Sequence, residues 1–247
     1  FIGLGAEDKP GVKGIIFSGY RARDRDKSGK NGDTYFVDEN GNEKNLTNSI
    51  GIDWEPSWSP DGKRIAFISD RSDKRGLYIM DIDGLNLRLL YCCAGGHDKG
   101  REPCPIVAIP PSWRPDGKKV AFLIDKYVLP ERSFCKILDV DPEPITKTQT
   151  DQFDIEKDLV EFQEKMPGYC ISKFAWSPDG KVLAAVTQRG IRLYDGATLS
   201  PIQTIDEGEY TESVAFSPDS ARLACICGEG LIKIWDVKSG QLLKVLA

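Results

Sequence analysis

The sequence contains a single histidine, His97, and this scarcity limits the catalytic mechanisms that it could support. A Ser-His-Asp triad or a Cys-His pair would have to use His97, because an imidazole serves as the base in both. His97 lies in the glycine-rich stretch AGGHDKG, and no Gly-x-Ser-x-Gly nucleophile motif is near it. The sequence therefore predicts a protein that is not an enzyme.

The chain also lacks a net basic charge and long apolar runs. The formal net charge is -5 at pH 7, whereas a nucleic-acid-binding domain normally carries a net basic surface. No apolar run approaches the roughly 20 residues that a membrane-spanning helix needs. We therefore expect neither nucleic-acid binding nor membrane insertion, and the oligomeric state stays open.

The cysteines do not form the pattern of a disulfide-rich protein. There are seven of them, an odd number, and most lie in strand-like stretches. Cys225 and Cys227 are two residues apart on a predicted strand, so their side chains point to the same face. This placement favours two thiols that fill the core over a disulfide between them.

Three short stretches carry residue types that bind metals or sugars. They are Cys92-Cys93-x3-His97-x6-Cys104, Asp24-x-Asp26-x-Ser28-Gly29 and the N-glycosylation sequon Asn45-Leu46-Thr47. The first lacks the Cys-x2-Cys spacing that is usual for zinc. The second is similar to the start of a calcium loop, but Tyr35 stands where that loop needs a glutamate. The sequon falls in a predicted strand. We expect no cofactor, with zinc and calcium left as open alternatives.

One phrase centred on Pro-Asp recurs four times along the chain. Its copies are SWSPDGKRIAFI (57–68), SWRPDGKKVAFLI (112–124), FAWSPDGKVLAAV (174–186) and VAFSPDSARLACI (214–226). Proline, aspartate and glycine are the residues that tight turns require, and the flanking runs are rich in strand formers. Two further short runs follow each hairpin. Four antiparallel strands, a to d, in a repeated unit are typical of a β-propeller blade.

We therefore expect an all-β propeller of four-stranded antiparallel blades, with five blades in one domain spanning 1–247. The predicted blades are 1–49, 54–91, 112–149, 173–206 and 212–247, with insertions at 92–111 and 150–172. In blade 1, strand a would come from residues 1–4 or be missing. Apolar residues at helical spacing predict one short helix in the second insertion. A six- or seven-bladed ring, of which this chain is a part, is the alternative.

Two kinds of propeller repeat resemble these blades. The sequence of blades 1 and 2, including WSPDGKRIAFISDRSDKRGLYIMDIDGLNLRLL, resembles TolB-type repeats. That of blades 4 and 5, FAWSPDGKVLAAVTQRGIRLYD and VAFSPDSARLACICGEGLIKIWD, resembles WD repeats. The resemblance implies a scaffold that binds a protein or peptide. It implies an extracytoplasmic, periplasmic location if the TolB likeness dominates, and otherwise the cytoplasm.

The long connections indicate where a partner would bind. They occur in the predicted b–c loops (20–33 and 125–132) and d–a connections (92–111 and 150–172), which leave an up-and-down sheet at the same end. Loops on a rigid scaffold often carry the function. Our candidate contact residues are Trp54, Arg71, Arg75, Arg101, Arg132, Phe162, Arg189, Glu209 and Glu229. We expect Trp54 to precede strand a and to be exposed. The alternative is a central funnel that binds a small ligand, sugar or metal ion, possibly beside a hydrolase domain.

Overall fold

The computed structural model describes nine stretches of the chain, and they consist of strands and turns. These stretches are 13–20, 32–71, 75–92, 110–125, 133–141, 171–187, 190–205, 211–227 and 230–246. No α-helix falls within them, and the helix predicted in 150–172 lies outside the described residues. The chain divides into two compact units, residues 1–113 and 114–247.

The first unit contains two antiparallel sheets and one further short strand. The strands are β1 (Gly14–Tyr20), β2 (Gly32–Asp38), β3 (Glu43–Asn45), β4 (Asp53–Trp58), β5 (Arg64–Ser69), β6 (Gly76–Asp81), β7 (Arg88–Cys92) and β8 (Ser112–Trp113). The sheets have the orders β1-β2-β3 and β4-β5-β6-β7, so consecutive strands are neighbours. The indole of Trp113 donates to the carbonyl of Ser57 at 3.1 Å.

The second unit contains a hairpin and two four-stranded sheets. Its strands are β9 (Lys119–Asp125), β10 (Ser133–Asp139), β11 (Ile171–Trp176), β12 (Val182–Thr187), β13 (Gly190–Asp195), β14 (Pro201–Ile205), β15 (Thr211–Phe216), β16 (Arg222–Cys227), β17 (Ile232–Asp236) and β18 (Leu242–Leu246). The four-stranded sheets have the orders β11-β12-β13-β14 and β15-β16-β17-β18. The all-β, blade-forming fold class predicted from the sequence is confirmed. Strand a of blade 1 and strand d of blade 3 lie outside the described residues.

Each sheet has two different ends. At one end, which we call the turn end, strands a and b and strands c and d are joined by tight turns. At the other, which we call the loop end, strands b and c are joined. Because all neighbouring strands are antiparallel, the two kinds of connection cannot share an end within a sheet.

The recurring phrase folds into one hydrogen-bonded turn at the turn end. In blade 4 the hydroxyl of Ser177 donates to Asp179 Oδ1 at 2.7 Å and accepts the N–H of Val182 at 2.9 Å. Asp179 also accepts the N–H of Lys181 at 3.1 Å. Gly180 has φ of 70°, the left-handed conformation that glycine adopts without strain. The same contacts recur in residues 59–64 and 217–222.

Blade 3 makes the same turn without the serine. Arg114 stands at that position, and its Nε lies 3.6 Å from Asp116 Oδ2. The backbone pattern is retained, since the N–H of Arg114 donates to the carbonyl of Lys119 at 2.8 Å and that of Gly117 to the carbonyl of Arg114 at 2.9 Å. The four turns therefore share a Pro-Asp pair followed by a left-handed residue, which is glycine in three of them and Ser220 in blade 5. In blade 3 an ion pair takes the place of the hydroxyl.

Among the described residues, each unit contains a buried core that lies between two sheets. In the first unit Ile16 and Leu46 of one sheet contact Trp58, Ile65, Phe67, Tyr78 and Met80 of the next. In the second unit Ala184, Val186, Ile191, Leu193 and Ile205 of blade 4 contact Val214, Leu223, Cys225, Cys227 and Val237 of blade 5. The two cysteines are buried with their sulfurs 3.3 Å apart, and they form no disulfide. Their predicted role as core residues is confirmed.

We predict that Ser177→Ala destabilises the protein by about 1–2 kcal/mol, because it leaves the partly buried N–H of Val182 without its acceptor. The hydrogen bond from Ser177 lowers the pKa of Asp179 below its ordinary value of 3.8, so the substitution should raise that pKa. A lowered folded-state pKa means that the ionised carboxylate stabilises the fold at neutral pH. This contribution is lost as the pH falls below 3.8 and through the folded-state pKa.

Urea unfolding at neutral pH and at pH values below 3.8, together with an NMR titration of Asp179, checks this prediction. The matched control is Lys181→Ala, whose side chain is 81% exposed and lies 3.6 Å from the same carboxylate. It should cost less than about 0.5 kcal/mol. Equal losses for the two variants would contradict the role given to the serine hydroxyl.

Candidate functional site

The candidate binding residues that the structure describes lie at the loop end of blade 2. Asp53 begins β4 and Ser69 ends β5, and the antiparallel register places them opposite each other. Ser69 also pairs with Gly76 at the start of β6. Both Asp53 and Ser69 are fully buried. The b–c connection 70–75 therefore leaves the sheet from a buried polar base.

Arg71 is held inside this base. Its Nη2 donates to Asp53 Oδ1 at 2.9 Å, and its Nε donates to Ser69 Oγ at 3.0 Å. The guanidinium carbon lies 5.1 Å from the centre of the Phe67 ring and 5.3 Å from that of Tyr78. Only 13% of the side chain is exposed. Arg71, which the sequence suggested as a contact residue, thus has its donors turned inward and orders the loop end.

A second buried carboxylate extends the network to the connection between β3 and β4. Asp33 Oδ1 accepts the hydroxyl of Thr47 at 3.0 Å and the N–H of Ser49 at 3.1 Å, and its Oδ2 accepts the amide of Asn45 at 3.0 Å. The hydroxyl of Ser49 then donates to Asp53 Oδ2 at 2.8 Å. Ser49 thereby links the two carboxylates, and residues 46–52 are fixed between two blades.

This network also explains the sequon at Asn45. The side-chain carbonyl of Asn45 accepts the N–H of Thr47 at 3.1 Å and that of Asn48 at 3.0 Å, while its amide nitrogen donates to Asp33. The nitrogen that would carry a glycan is thus engaged in the fold. The Asn-Leu-Thr pattern serves the turn that follows β3.

Trp54 and Arg75 present an aromatic ring and a cation beside the base. The guanidinium of Arg75 lies 5.0 Å from the centre of the Trp54 ring, and Trp54 also packs against Ile68. Trp54 is half-buried and lies within β4. The prediction that it precedes strand a is wrong, because the pairing of Asp53 with Ser69 starts the strand one residue earlier.

Glu55 is the residue of this site that sequence reasoning missed. A β-bulge interrupts the register between Trp54 and Ser57, and Glu55 lies in it with φ of +54°. Burial raises the pKa of the Glu55 carboxyl above its ordinary value of 4.5. A residue that precedes proline normally adopts an extended conformation, so Trp-Glu-Pro gave no sign of this geometry. The bulge thus carries a strained, desolvated carboxyl one residue after Trp54 in the chain.

The structure describes three of the predicted contact residues, Trp54, Arg71 and Arg75. It places Arg75 over the ring of Trp54. Arg71 lies apart from this pair, against Phe67 and Tyr78. The other six lie outside the described residues: Arg101, Arg132, Phe162, Arg189, Glu209 and Glu229. The calcium-like stretch and the zinc-type residues from Cys93 to Cys104 lie outside them as well. Within the described part of the chain, no three His, Cys, Asp or Glu side chains come together as a metal site. None of the helices that could be searched there is long and apolar enough to cross a membrane.

Comparisons with known proteins agree with this architecture. The family model described as "WD domain, G-beta repeat" matches residues 200–236, which run from β14 through β17. The crystal structure of TolB from Acinetobacter baumannii has a TM-score of 0.59 and 18% sequence identity, over 87% of this chain and 49% of that chain. The chain is a β-propeller repeat protein that resembles TolB-type and WD repeats.

A curated relative matches a shorter stretch. "Uncharacterized peptidase YuxL" of Bacillus subtilis (strain 168) is 40% identical over 67 residues, which make up 27% of this chain and 8% of that protein. The chain therefore spans about half the length of the TolB structure and a small fraction of the curated relative.

We predict that Arg71→Ala destabilises the protein by about 3–5 kcal/mol, because it leaves the Asp53 carboxylate buried without its cation. In a double-mutant cycle, Asp53→Asn combined with Arg71→Ala should cost clearly less than the sum of the two single variants. Urea unfolding measures all three. Arg75→Ala is the control and should cost about 0.5–1 kcal/mol, since its guanidinium faces a half-buried ring. Additive losses at Asp53 and Arg71 would contradict the pairing.

We predict that Glu55→Gln is more stable than the native protein at pH 7. The pKa of Glu55 is raised in the folded state, so ionisation costs stability as the pH rises above 4.5. Glutamine has no such ionisation, and the advantage should disappear below pH 4.5. Glu55→Gly should relieve the positive φ and gain about 1 kcal/mol below pH 4.5, and more at pH 7 because it also removes the carboxyl. Thermal unfolding across this pH range tests both, and a pH-independent effect of Glu55→Gln would contradict the desolvation.

Proposed function

We propose that this chain is a non-enzymatic module that binds a protein or peptide partner at the loop end of its sheets. Propellers of the WD and TolB types commonly mediate protein interactions, and rigid repeat scaffolds offer extended surfaces for this purpose. The lengths of the connections support the loop end as the surface that binds the partner.

Connection lengths vary more at the loop end than at the turn end, and the longest connections between described strands lie at the loop end. At the turn end, the a–b turns are 59–63, 114–118, 177–181 and 217–221, and the c–d turns are 39–42, 82–87, 196–200 and 237–241. At the loop end, the b–c connections are 21–31, 70–75, 126–132, 188–189 and 228–231. Lengthening a loop costs little free energy, so tolerance alone would lengthen both kinds of connection. The restriction of long connections to one end favours a function there.

The chemistry at the loop end of blade 2 also suits a protein partner. Tryptophan and arginine are among the residue types most often found in binding hot spots, and Arg75 lies over Trp54. The buried Asp53–Arg71 pair fixes the backbone from which these groups project. A preordered surface loses less conformational entropy when it binds.

We predict that Arg75→Glu abolishes recovery of the partner that the native chain captures from an extract of its source organism, because it reverses the cation over Trp54. Lys63→Glu makes the same charge reversal at an exposed position of the turn end and should leave recovery unchanged. Quantitative mass spectrometry of the captured proteins compares the three. Loss of the partner with Lys63→Glu, and retention with Arg75→Glu, would place the interface at the opposite end.

The match to a peptidase-named protein favours a second candidate function. In that case the chain would accompany a hydrolase and admit a small ligand or peptide through a central funnel. The purified chain, incubated with a panel of fluorogenic peptides, distinguishes the two candidates. Cleavage above the rate without protein, together with an unchanged capture profile for Arg75→Glu, would favour this alternative.

A further inference from the structure

The interface between blades 4 and 5 encloses two thiols that are in contact with each other. Cys225 and Cys227 are alternate residues of β16, and each is at most 1% exposed. Their sulfurs are 3.3 Å apart, so the two side chains turn toward each other along the strand. The core residues around them belong to blades 4 and 5. The pair therefore lies wholly within the second compact unit.

The fold does not require a thiol at the end of the second strand of a blade. Ser69 ends β5 and accepts an N–H of the connection 70–75 at 3.2 Å. Thr187 ends β12 and donates to the first carbonyl of β13 at 2.8 Å. In blade 5 the same connection is held through the backbone, where the N–H of Cys227 donates to the carbonyl of Leu231 at 2.9 Å. A hydroxyl serves this position in two blades, and blade 5 has a reactive sulfur there instead.

Two polar residues lie beside the thiols on the same face of the sheet. Thr211 of β15 pairs with Cys227, and directly opposed residues share a face. Thr211 is 1% exposed, and its hydroxyl has no hydrogen-bond partner among the described residues. Lys233 of β17 pairs with Cys225 and is also buried. Thiol–disulfide exchange proceeds through a thiolate, which hydroxyl donors and lysines stabilise.

We propose that Cys225 and Cys227 are a redox switch that closes to a disulfide by exchange with a small-molecule disulfide. One cysteine, as its thiolate, attacks a sulfur of the small disulfide and releases one thiol, which leaves a mixed disulfide on the protein. The other cysteine attacks the protein sulfur of that bond and releases the second thiol. The two cysteines thereby lose two electrons and two protons, which the small disulfide takes up. This step does not depend on the proposed binding function.

Closure has to bend β16. A disulfide holds its two Cβ atoms about 3.8 Å apart, whereas alternate residues of a strand are separated by roughly 6.6 Å. The bend falls on Ile226, which pairs with Ser213 on one side and Ile232 on the other. It also displaces Cys227, whose N–H holds the connection 228–231. The disulfide therefore loosens the loop end of blade 5. Strain of this kind makes a disulfide easy to reduce, so the switch is reversible.

The test equilibrates the full chain with mixtures of reduced and oxidised glutathione until the products no longer change. Free thiols are then blocked with a maleimide in denaturant, and the chain is digested with trypsin. Trypsin cleaves after Arg222 and Lys233, so one peptide, 223–233, carries both thiols and no other cysteine. Mass spectrometry shows whether this peptide holds two maleimides or a disulfide that is two hydrogen atoms lighter than the dithiol. We expect the disulfide to dominate in oxidised glutathione, and dithiothreitol to restore both thiols.

The oxidised chain should also open more often at blade 5. We expect the amide hydrogens of Ile226 and Cys227 to exchange with solvent about tenfold faster or more, because the bend weakens their hydrogen bonds. The urea midpoint should fall for the same reason. Both effects should disappear when dithiothreitol reduces the disulfide.

Cys225→Ala with Cys227→Thr is the matched variant. Blade 4 has Ala185 and Thr187 at the equivalent register positions, so the fold accepts both residues there. The variant keeps the other cysteines of the chain. It should fold, and its amide exchange and urea midpoint should not respond to oxidised glutathione.

Three results would overturn the proposal. Peptide 223–233 keeps two blocked thiols, or carries glutathione without closing, at every glutathione ratio. The disulfide forms but leaves the urea midpoint unchanged or raises it, which would mean that β16 accommodates the bond without bending. The double variant responds to oxidised glutathione as the native chain does, which would assign the effect to the other cysteines.

Discussion

A sheet that is apolar on both faces has to be covered on both, and the rest of this structure follows from that constraint. Nearly every side chain of β5 and β12 is buried, although neighbouring residues of a strand point to opposite faces. Each core therefore forms between two sheets, and no blade contains a complete core of its own. Stability in such a chain is shared between neighbours, as in other repeat proteins. The pairing of blade 4 with blade 5 satisfies the constraint on one side of blade 5 and leaves its other side apolar.

The two ends of the sheets differ in how their strands are connected and in what stabilises them. At the turn end, one hydrogen-bonded motif is repeated with little variation, and Arg114 shows that even its serine can be replaced. At the loop end, Asp33, Asp53 and Arg71 bind the strand ends together from the inside. Connections of unequal length leave from this fixed base. A constant framework and a variable surface are thus separated along the direction of the strands.

The strands were predictable because the turn motif and the strand-forming runs are local signals. The repeated motif at 57–68, 112–124, 174–186 and 214–226 forms a strand, a tight turn and a second strand in each case, as the sequence predicts. The candidate site was harder to predict from the sequence, because its contacts depend on the register of the strands. The residues around Arg71 contain no signal that its guanidinium reaches Asp53, a carboxylate 18 residues away in the sequence. The tripeptide Trp-Glu-Pro likewise gives no sign of the bulge at Glu55. Trp54, Arg71 and Arg75 remain predicted contact residues, and the structure shows that Arg71 faces inward.

The close approach of Cys225 and Cys227 gives the interface between blades 4 and 5 its own chemical reporter. Both sulfurs are buried in that interface, 3.3 Å apart. A thiol reagent can reach them only while the two sheets are separated, so the rate of alkylation in the native protein follows the frequency of that separation. The thiols thus record how often one blade lifts from its neighbour, without any label having to be introduced.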